Sequence, residues 1–362
     1  MSQPTALLSP VALRNSTEDR LSYSINSDAP TLSALARRLN FLQEEFDSEP
    51  DLQAIVRHRG FTGITEWAYE DRFWLRDEDH VPAIWGRAKG VDSRLVALAW
   101  LEGTYPVVAL AAAGIRSVAD LKSKRLGIVR DKNSLLDSGY ARQLKIYTTM
   151  LSTARLTLHD VELVTIERAK VNPPVFSTKA TKILAAQETG KDIAERLQRN
   201  EFDAIAVDSA ADVARHVSIR ILYDTVSHPD FLARAHPGVL HGLVVSGPLL
   251  RERRDLVVRV LARLLKAAHW ARTYPQDVVT KLAEGYDVHP DTLTRKYQNL
   301  SQGIQIDLGI QKILSLKAQR NFLLRHRLIE KDFDIDPWID HGPLTEAHKL
   351  YAQWKESGEA NE

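Results

Sequence analysis

Cysteine is missing from all 362 residues of the sequence. This absence excludes disulfide bonds, thiolate metal sites, iron–sulfur clusters and cysteine nucleophiles together. It also excludes a lipid anchor of the lipoprotein type, because that anchor is attached to a cysteine. It does not decide the cellular compartment, since proteins of oxidising compartments also exist without cysteine.

An excess of charge of either sign is lacking too. Lys and Arg number 48 against 47 Asp and Glu, which gives a formal net charge of +1. The whole chain therefore offers no electrostatic attraction for nucleic acid, and we expect no nucleic-acid partner. A basic pocket of local extent is compatible with this balance.

Long hydrophobic runs are absent as well. No stretch approaches the roughly 18 consecutive apolar residues of a membrane-spanning helix, so we expect no membrane insertion. Residues 1–14 lack the charged start and the continuous apolar run of a secretory signal. We therefore predict a cytoplasmic protein. A periplasmic chain whose signal had been trimmed and replaced by Met would have the same sequence.

Cofactor signatures are likewise missing, since neither a Walker loop nor a Rossmann glycine fingerprint occurs. The densest set of metal-ligand side chains is Asp77-Glu78-Asp79-His80. Four consecutive residues cannot all face one ion, and we interpret this run as a solvated turn. We predict neither a metal nor another cofactor.

What is present is an alternation of strands and helices, which over residues 21–219 indicates parallel α/β units. The length exceeds that of a usual single core, so we expect two lobes. Residues 1–20 are polar and are predicted to form a flexible arm.

Two predicted strand-to-helix transitions are rich in small polar residues. Asn26-Ser27-Asp28 follows the first strand, and Ser138 and Gly139 begin a later helix that also carries Arg142. A helix start presents free N–H groups and the positive end of the helix dipole, which suit an anion. Ordinary N-capping explains the same residues equally well.

Aromatic and charged residues are interleaved between residues 57 and 87. Arg72 suits a bidentate contact with a carboxylate, sulfonate or sulfinate, or a surface ion pair with Asp71 or Glu70. Trp74 suits stacking on an aromatic ligand, or core packing, as do three further aromatic residues of this region. These three are Trp67, Tyr69 and Trp85.

Two histidines, His236 and His241, lie in the irregular segment that follows the last α/β unit. A lone histidine is more often structural than functional.

Two longer segments carry a resemblance to a known family. One runs Ser117-Val118-Ala119-Asp120-Leu121-Lys122-Ser123-Lys124-Arg125-Leu126-Gly127-Ile128-Val129, and the other closes a helix–strand unit on Phe202-Asp203-Ala204-Ile205. With the stretch 21–31 and the long helical return, their order resembles the type II periplasmic-binding-protein fold. The most similar group is that of nitrate, sulfonate and taurine solute-binding proteins. Within it the sequence most resembles the 2'-hydroxybiphenyl-2-sulfinate desulfinases, from about Leu21 to Trp338.

This resemblance implies two lobes with a central ligand cleft and a helical C-terminal extension. Residues 21–125 and 220–362 would form lobe 1, the latter with the helical C-terminal part, and residues 126–219 would form lobe 2. In this fold the returning segment, which here carries His236 and His241, often lines the cleft. Desulfinases of this kind use a cysteine in a Tyr-Ser-Asn-Cys-Pro segment, together with a histidine and an arginine. Arg72 matches the arginine by its place before Phe73, whereas Ser27 stands about where the cysteine would be. The histidine position falls near Thr62, with His58 close by but not matching. The chemistry of the family is therefore not transferred unchanged.

We accordingly predict binding of a small organic anion in the cleft: a sulfinate, sulfonate or carboxylate, aromatic ones included. The favoured interpretation is a desulfinase-related hydrolase or lyase with altered chemistry, in which Ser27 and Arg72 are catalytic. The alternative is the solute-binding component of an ABC-type importer, whose partner would be a permease. The predicted ligand contacts are Asn26, Ser27, Asp28, Arg72, Trp74, Ser138, Gly139, Arg142 and His241.

Overall fold

The computed structural model describes residues 20–26, 29–47, 53–59, 71–131, 136–167, 179–298 and 300–357. The arm predicted at 1–20 lies outside these ranges except for Arg20, with which the first strand begins. Among the described helices, none is both long and apolar enough to cross a lipid bilayer.

Eleven strands occur within the described residues. They are β1 (Arg20–Asn26), β2 (Gln53–Arg59), β3 (Phe73–Asp79), β4 (Ser93–Trp100), β5 (Pro106–Leu110), β6 (Arg125–Arg130), β7 (Glu162–Glu167), β8 (Ala204–Ala206), β9 (Ile219–Asp224), β10 (Leu240–Ser246) and β11 (Ile306–Asp307).

The α-helices of the same ranges alternate with these strands up to β10 and then dominate. They are α1 (Leu32–Arg38), α2 (Phe41–Asp47), α3 (His80–Ala88), α4 (Ser138–Thr153), α5 (Lys179–Gln198), α6 (Ala210–Ala214), α7 (Phe231–Arg234), α8 (Gly247–Glu252), α9 (Arg254–Thr273), α10 (Pro275–Tyr286), α11 (Pro290–Lys296), α12 (Leu300–Gly303), α13 (Ile310–Arg325) and α14 (Gly342–Ser357).

The strands form two sheets. The first has the order β11-β4-β10-β3-β1-β2, in which β1 is parallel to β2 and β3 while β10 is antiparallel to β3 and β4. The second has the order β7-β6-β8-β5-β9, with β6 parallel to both its neighbours. Strand β4 is buried along almost its whole length, as its continuous apolar sequence predicts for a strand covered on both faces.

Two connectors join the sheets: residues 101–105 lead from β4 to β5, and residues 225–239 lead from β9 to β10. Strands 106–110 and 219–224 both belong to the second sheet. The change of sheet therefore does not coincide with the predicted division at 125/126 and 219/220. The predicted boundary at 125/126 falls within the strand Arg125–Arg130, which lies inside the second sheet.

The first connector is paired with a segment from the C-terminal part of the chain. Gly103 forms an antiparallel bridge with Tyr297. The backbone N–H of Thr104 donates to the carbonyl of Lys296 (2.8 Å), and that of Gln298 donates to Glu102 (3.0 Å). Residues 102–104 and 296–298 thus form a short two-stranded ribbon between the lobes.

Helix α9 shows how the apolar pattern sets the packing of lobe 1. Its predicted stripe, which includes Leu256, Val260 and Leu264, is buried in the core with α1, α2 and α14, so the amphipathic helix is confirmed. On the other face of the first sheet, Trp74 and Leu98 join Val107 of the second sheet in one hydrophobic cluster. The core is therefore continuous from one sheet to the other.

The C-terminal part closes over β4. The Trp338 side chain is fully buried and its indole N–H donates to the Ser93 hydroxyl (3.1 Å). Ile339 pairs with Leu95 as a parallel bridge. Helix α13 also approaches the second lobe, since the Lys145 ammonium of α4 lies 5.5 Å from the Phe322 ring centroid.

Candidate functional site

The start of α1 is bound by a carboxylate of the protein itself. Thr31 is the N-cap of α1, and its hydroxyl accepts the N–H of Ala34 at 3.4 Å. The hydroxyls of Thr31 and Ser33 and the N–H of Ser33 all donate to the carboxylate of Asp77, near the end of β3. The anion that this helix start favours is thus already supplied by the chain.

Ser33 connects Asp77 to a buried tyrosine, because the Tyr23 hydroxyl donates to the Ser33 oxygen at 2.6 Å. Burial raises the pKa of Tyr23 well above its ordinary value, and the charge of Asp77 adds to the rise. Burial also raises the pKa of Asp77, against the hydrogen bonds from Ser33 and Thr31 and the proximity of His241. A chain of polar groups therefore runs from β1 through α1 to β3.

Asp79 is the second buried carboxylate of β3, two residues from Asp77 and hence on the same face of the sheet. Its oxygens accept the N–H of Val81 at 2.9 Å, which caps α3, and the N–H of Gly238 in the second connector. Across the ladder it stands directly opposite His241 of β10. One side chain thus links the strand end, helix α3 and a connector.

His241 is buried, and neither ring nitrogen has a hydrogen-bond partner of normal geometry among the described residues. Burial lowers its pKa below the ordinary value, while Asp79, Asp77 and a backbone group of Gly238 oppose the decrease. Burial disfavours charge on both His241 and Asp77. The state in which both side chains are neutral is therefore stabilised relative to a buried ion pair.

The second lobe contributes Arg142 from α4. Its side chain is only 15% exposed, and its guanidinium lies 3.3 Å from Asp208 and 4.8 Å from the centroid of the Tyr105 ring. Burial alone would lower its pKa, but Asp208, Tyr105 and Asp79 raise it above the ordinary arginine value. Lys296 at the end of α11 approaches the same ring (4.9 Å) and the same Asp208 (3.9 Å). Two cations from different parts of the chain therefore meet between the sheets.

These groups define the candidate site, which lies at the carboxyl end of β3 and beside both connectors. Open α/β sheets commonly bind ligands in this position. We call the following residues the cleft cluster: Asp77, Asp79, Tyr105, Arg142, Asp208, His241 and Lys296.

Some of the predicted ligand contacts belong to this cluster and others lie elsewhere. Arg142 and His241 belong to it. Ser138 is buried at the start of α4, but that start is capped by Asp137, whose carboxylate accepts the N–H of Tyr140 at 2.8 Å. Gly139 follows Ser138 in the same first turn. Asp137 is therefore the N-cap of this helix, and Ser138 and Gly139 are not.

Two predicted residues lie at the opposite end of β3. Arg72 precedes the strand, is half-exposed and forms a 2.6 Å ion pair with Glu252 of α8. Trp74 is buried in the core, and its backbone N–H donates to the Ser246 hydroxyl at 3.3 Å. Seven residues of strand separate this end from Asp79, a span of roughly 20 Å. The structure therefore does not bring Arg72 or Trp74 to the cleft cluster.

The remaining predicted residues are not placed. Ser27 and Asp28 lie outside the described residues, and of Asn26 only the backbone is described, at the end of β1. The family positions discussed for the histidine, Thr62 and the side chain of His58, lie outside them as well. Catalysis by Ser27 stays a prediction.

The run Asp77-Glu78-Asp79-His80 requires a correction, because it is not a solvated turn. Asp77, Asp79 and His80 are 7%, 2% and 0% exposed, respectively. They end β3 and begin α3, where the pleat turns Asp77 and Asp79 to one face. Within the described part of the chain, no group of three or more His, Asp or Glu side chains is arranged to hold a metal ion.

Sequence reasoning also missed Tyr105, Asp208 and Lys296. Asp208 follows the end of β8, a position typical of functional residues in α/β proteins, and this signal was available. Tyr105 and Lys296 are brought together by the connector ribbon, which local pattern does not reveal. His236, by contrast, is structural: its ring nitrogens bond the Pro237 carbonyl (2.8 Å) and the Thr225 hydroxyl (3.2 Å).

A separate pocket of about 360 Å³ lies on the outer surface between α1 and α10. Exposed side chains such as Arg37 and Arg38 form much of its wall. Tyr286 also lines it, and the hydroxyl of this residue donates to the Ala29 carbonyl. The titratable residues of the cleft cluster do not line it.

No protein-family model matches the sequence, and comparison with curated proteins gives no match. Solved structures do match. The desulfurization enzyme DszB is 20% identical, over 92% of this chain and 100% of that chain, with a TM-score of 0.69. A putative periplasmic sulfonate-binding protein SsuA from Methylobacillus flagellatus is 16% identical, over 92% and 96%, with a TM-score of 0.67.

The periplasmic aliphatic sulphonate binding protein SsuA from Escherichia coli is a third similar structure. It is 15% identical, over 88% of this chain and 90% of that chain, with a TM-score of 0.59. Identities this low show a shared fold, and the fold predicted from the sequence is confirmed. The chain has the type II periplasmic-binding-protein fold, in common with DszB and the sulfonate-binding proteins.

Proposed function

We propose that this protein binds a small organic anion bearing a sulfonate or sulfinate group in the cleft between its two sheets. The observation that carries this proposal is the meeting of Arg142 and Lys296 beside Tyr105. A guanidinium held in a mostly buried position can bind two oxygens of such a group at once. The aromatic rings of Tyr105 and Tyr297 next to the two cations suit an aromatic remainder of the ligand.

The similar structures support this ligand class. One is a desulfurization enzyme, of which a variant has been solved with biphenyl-2-sulfinic acid, and others bind sulfonates. A sulfonate is the best candidate on geometric grounds, because its three oxygens can reach Lys296 as well as Arg142. The two oxygens of a sulfinate or a carboxylate can satisfy Arg142, and the sulfinate is kept in the proposal because of the similar structures.

Catalysis is the second part of the proposal. The buried Asp77–His241 pair favours a desulfinase-related enzyme over a simple receptor, because buried titratable groups with shifted pKa values concentrate at catalytic sites. The alternative is the solute-binding component of an importer, with a permease as partner. Localisation in the cytoplasm belongs with the enzyme interpretation and is likewise a prediction.

The binding proposal is tested by isothermal titration calorimetry with benzenesulfonate, benzenesulfinate and benzoate. The matched variants are Arg142→Ala, which removes the guanidinium of the cleft cluster, and Arg72→Ala, which removes the guanidinium that precedes β3. We expect Arg142→Ala to weaken sulfonate binding roughly 10- to 100-fold, the effect of about 1.5–3 kcal/mol for a charge-assisted contact. Arg72→Ala should bind like the wild type. The reverse result would move the site to the amino end of β3.

The catalytic part has its own readout. Release of sulfite from benzenesulfinate, followed together with calorimetric binding, separates an enzyme from a receptor. Binding of several panel members without product would favour the receptor. Product formation that is lost in Ser27→Ala, while binding persists, would support the predicted role of Ser27.

A further inference from the structure

Among the described residues, three histidines are fully or almost fully buried, and one of them differs from the other two. His80 bonds the Leu240 carbonyl (2.9 Å) and the Gln319 side chain (3.2 Å) through its two ring nitrogens. His236 likewise has a partner for each nitrogen. His241, at 1% exposure, has none of normal geometry. A buried polar group without a partner is costly, and it indicates a group that binds there.

The surroundings of His241 are negatively charged. Asp79 stands opposite it across the β3–β10 ladder, and Asp77 lies on the same face of β3, two positions away and opposite Leu243. Both carboxylates receive hydrogen bonds from other donors: Asp79 from Val81 and Gly238, and Asp77 from the start of α1. They therefore act on the imidazole through their charge rather than by hydrogen bonds, and a backbone group of Gly238 also approaches the ring.

The other elements packed around His241 add little charge. On its second flank, its neighbour across the ladder is Ala99 of β4. From α3, His80 opposes a positive charge on His241. From α4, Arg142 interacts with Asp79 and so lies near the same carboxylate. His241 and Arg142 thus approach Asp79 from different lobes.

We propose that His241 is a ligand-binding residue that takes up one proton from solution when the anion binds beside Arg142. This inference rests on the proposed function, because the anion is the sulfonate or sulfinate assigned to the cleft. The transfer is balanced simply: one proton leaves the solvent and attaches to a ring nitrogen of His241. No bond of the ligand is broken.

The physical reason is the difference in charge between the free and the occupied cleft. Without ligand, burial keeps the pKa of His241 below its ordinary value despite the two carboxylates. A sulfonate placed beside the ring adds a negative charge in a desolvated position, which raises the pKa. The resulting imidazolium has two N–H donors in place of one, and it donates to the anion. A sulfonate is a strong acid and brings no proton, so the proton comes from solution.

The test counts protons. Benzenesulfonate is titrated into the wild-type protein by calorimetry in two buffers of different ionisation enthalpy, at several values between pH 6 and pH 8. We expect uptake of between about half a proton and one proton per ligand. Affinity should fall by up to tenfold per pH unit as the pH rises, because the proton becomes harder to supply.

His241→Gln is the informative variant and His159→Gln its control. Glutamine keeps a polar side chain without a titratable group, so we expect weaker binding, no proton uptake and a flat pH profile. His159 is exposed in a turn of the second lobe and is absent from the cleft cluster, so its variant should match the wild type. If His241→Gln does not fold, nitrogen-15 NMR of the histidine rings in the wild type supplies the answer. One ring should become protonated only when ligand is present.

The outcomes separate the two proposals. Binding to the wild type without proton uptake overturns the role of His241 and leaves the proposed function standing. Uptake that persists in His241→Gln also overturns it. Failure of all three probes to bind the wild type overturns both proposals.

Discussion

Asp79 stands directly opposite His241 across the β3–β10 ladder, while its oxygens accept the backbone N–H groups of Val81 and Gly238. The carboxylate therefore serves three segments at once: a helix start, a connector between the lobes, and the buried imidazole. A change at Asp79 therefore affects the candidate site and the second connector together.

The first prediction concerns Asp79 itself. Asp79→Ala removes the cap of α3 and leaves the Gly238 N–H without its acceptor, so the free energy of unfolding should fall by about 2–4 kcal/mol. Asp79→Asn keeps a side-chain oxygen and should lose clearly less. Urea unfolding at neutral pH measures both. Equal stability of Asp79→Ala and the wild type would show that the two hydrogen bonds contribute nothing net.

The second prediction compares two glycines that both have a positive φ. At Gly90 (φ 91°) an added Cβ meets nothing within 4 Å, whereas at Gly238 (φ 97°) it would overlap the Tyr105 hydroxyl and lie 2.9 Å from the ring carbon Cζ. Gly90→Ala should cost about 1–2 kcal/mol of stability through its backbone alone. Gly238→Ala should cost at least about 1 kcal/mol more and should weaken anion binding. Similar losses in the two variants would contradict the close packing against Tyr105.

The third prediction uses His236, whose pKa burial lowers from the ordinary value to about 3. Between these two pKa values the histidine is protonated in the unfolded chain and unprotonated in the folded chain. Stability is thus fully present above about pH 6.5 and is lost as the pH falls towards 3, at up to about 1.4 kcal/mol per pH unit. His236→Gln should flatten this acid limb in urea titrations. If the free energy of unfolding of this variant fell at acid pH as steeply as that of the wild type, other titrating groups would be responsible for the loss.

The fourth prediction concerns Asp77, whose pKa is raised by burial. Here the folded chain binds the proton more tightly than the unfolded chain, so stability falls as the pH rises from the ordinary aspartate range through the raised pKa. Asp77→Asn imitates the neutral form and does not titrate. Its stability relative to the wild type should therefore increase with pH. Parallel stability curves between pH 4 and pH 8 would contradict this.

Much of the fold follows from local pattern. The apolar run of β4 and the stripe of α9 predict a covered strand and an amphipathic helix, and both are present. Ser117 begins a short helical turn in which the Asp120 carboxylate accepts the Ser117 N–H at 2.9 Å. These features depend on neighbours within a few residues, which the sequence displays directly.

The site was less predictable because it depends on distant pairing. The charges of Asp77 and Asp79 indicate a solvated turn when read alone, yet the partners that satisfy them are backbone and hydroxyl groups of residues 31, 33, 81 and 238. Arg72 has the right chemistry but precedes β3. The direction of a strand determines which of its ends lies at the candidate site, and the sequence alone did not place Arg72 at the other end.

The ribbon of residues 102–104 and 296–298 has a mechanical consequence. Changing the backbone angles of the first connector would break the bonds that Thr104 and Gln298 make, so this edge of the joint resists torsion. Any opening of the lobes then turns about an axis close to the ribbon. Tyr105 and Lys296 adjoin this ribbon, so the anion proposed for the cleft would keep its contacts with both residues if the lobes moved.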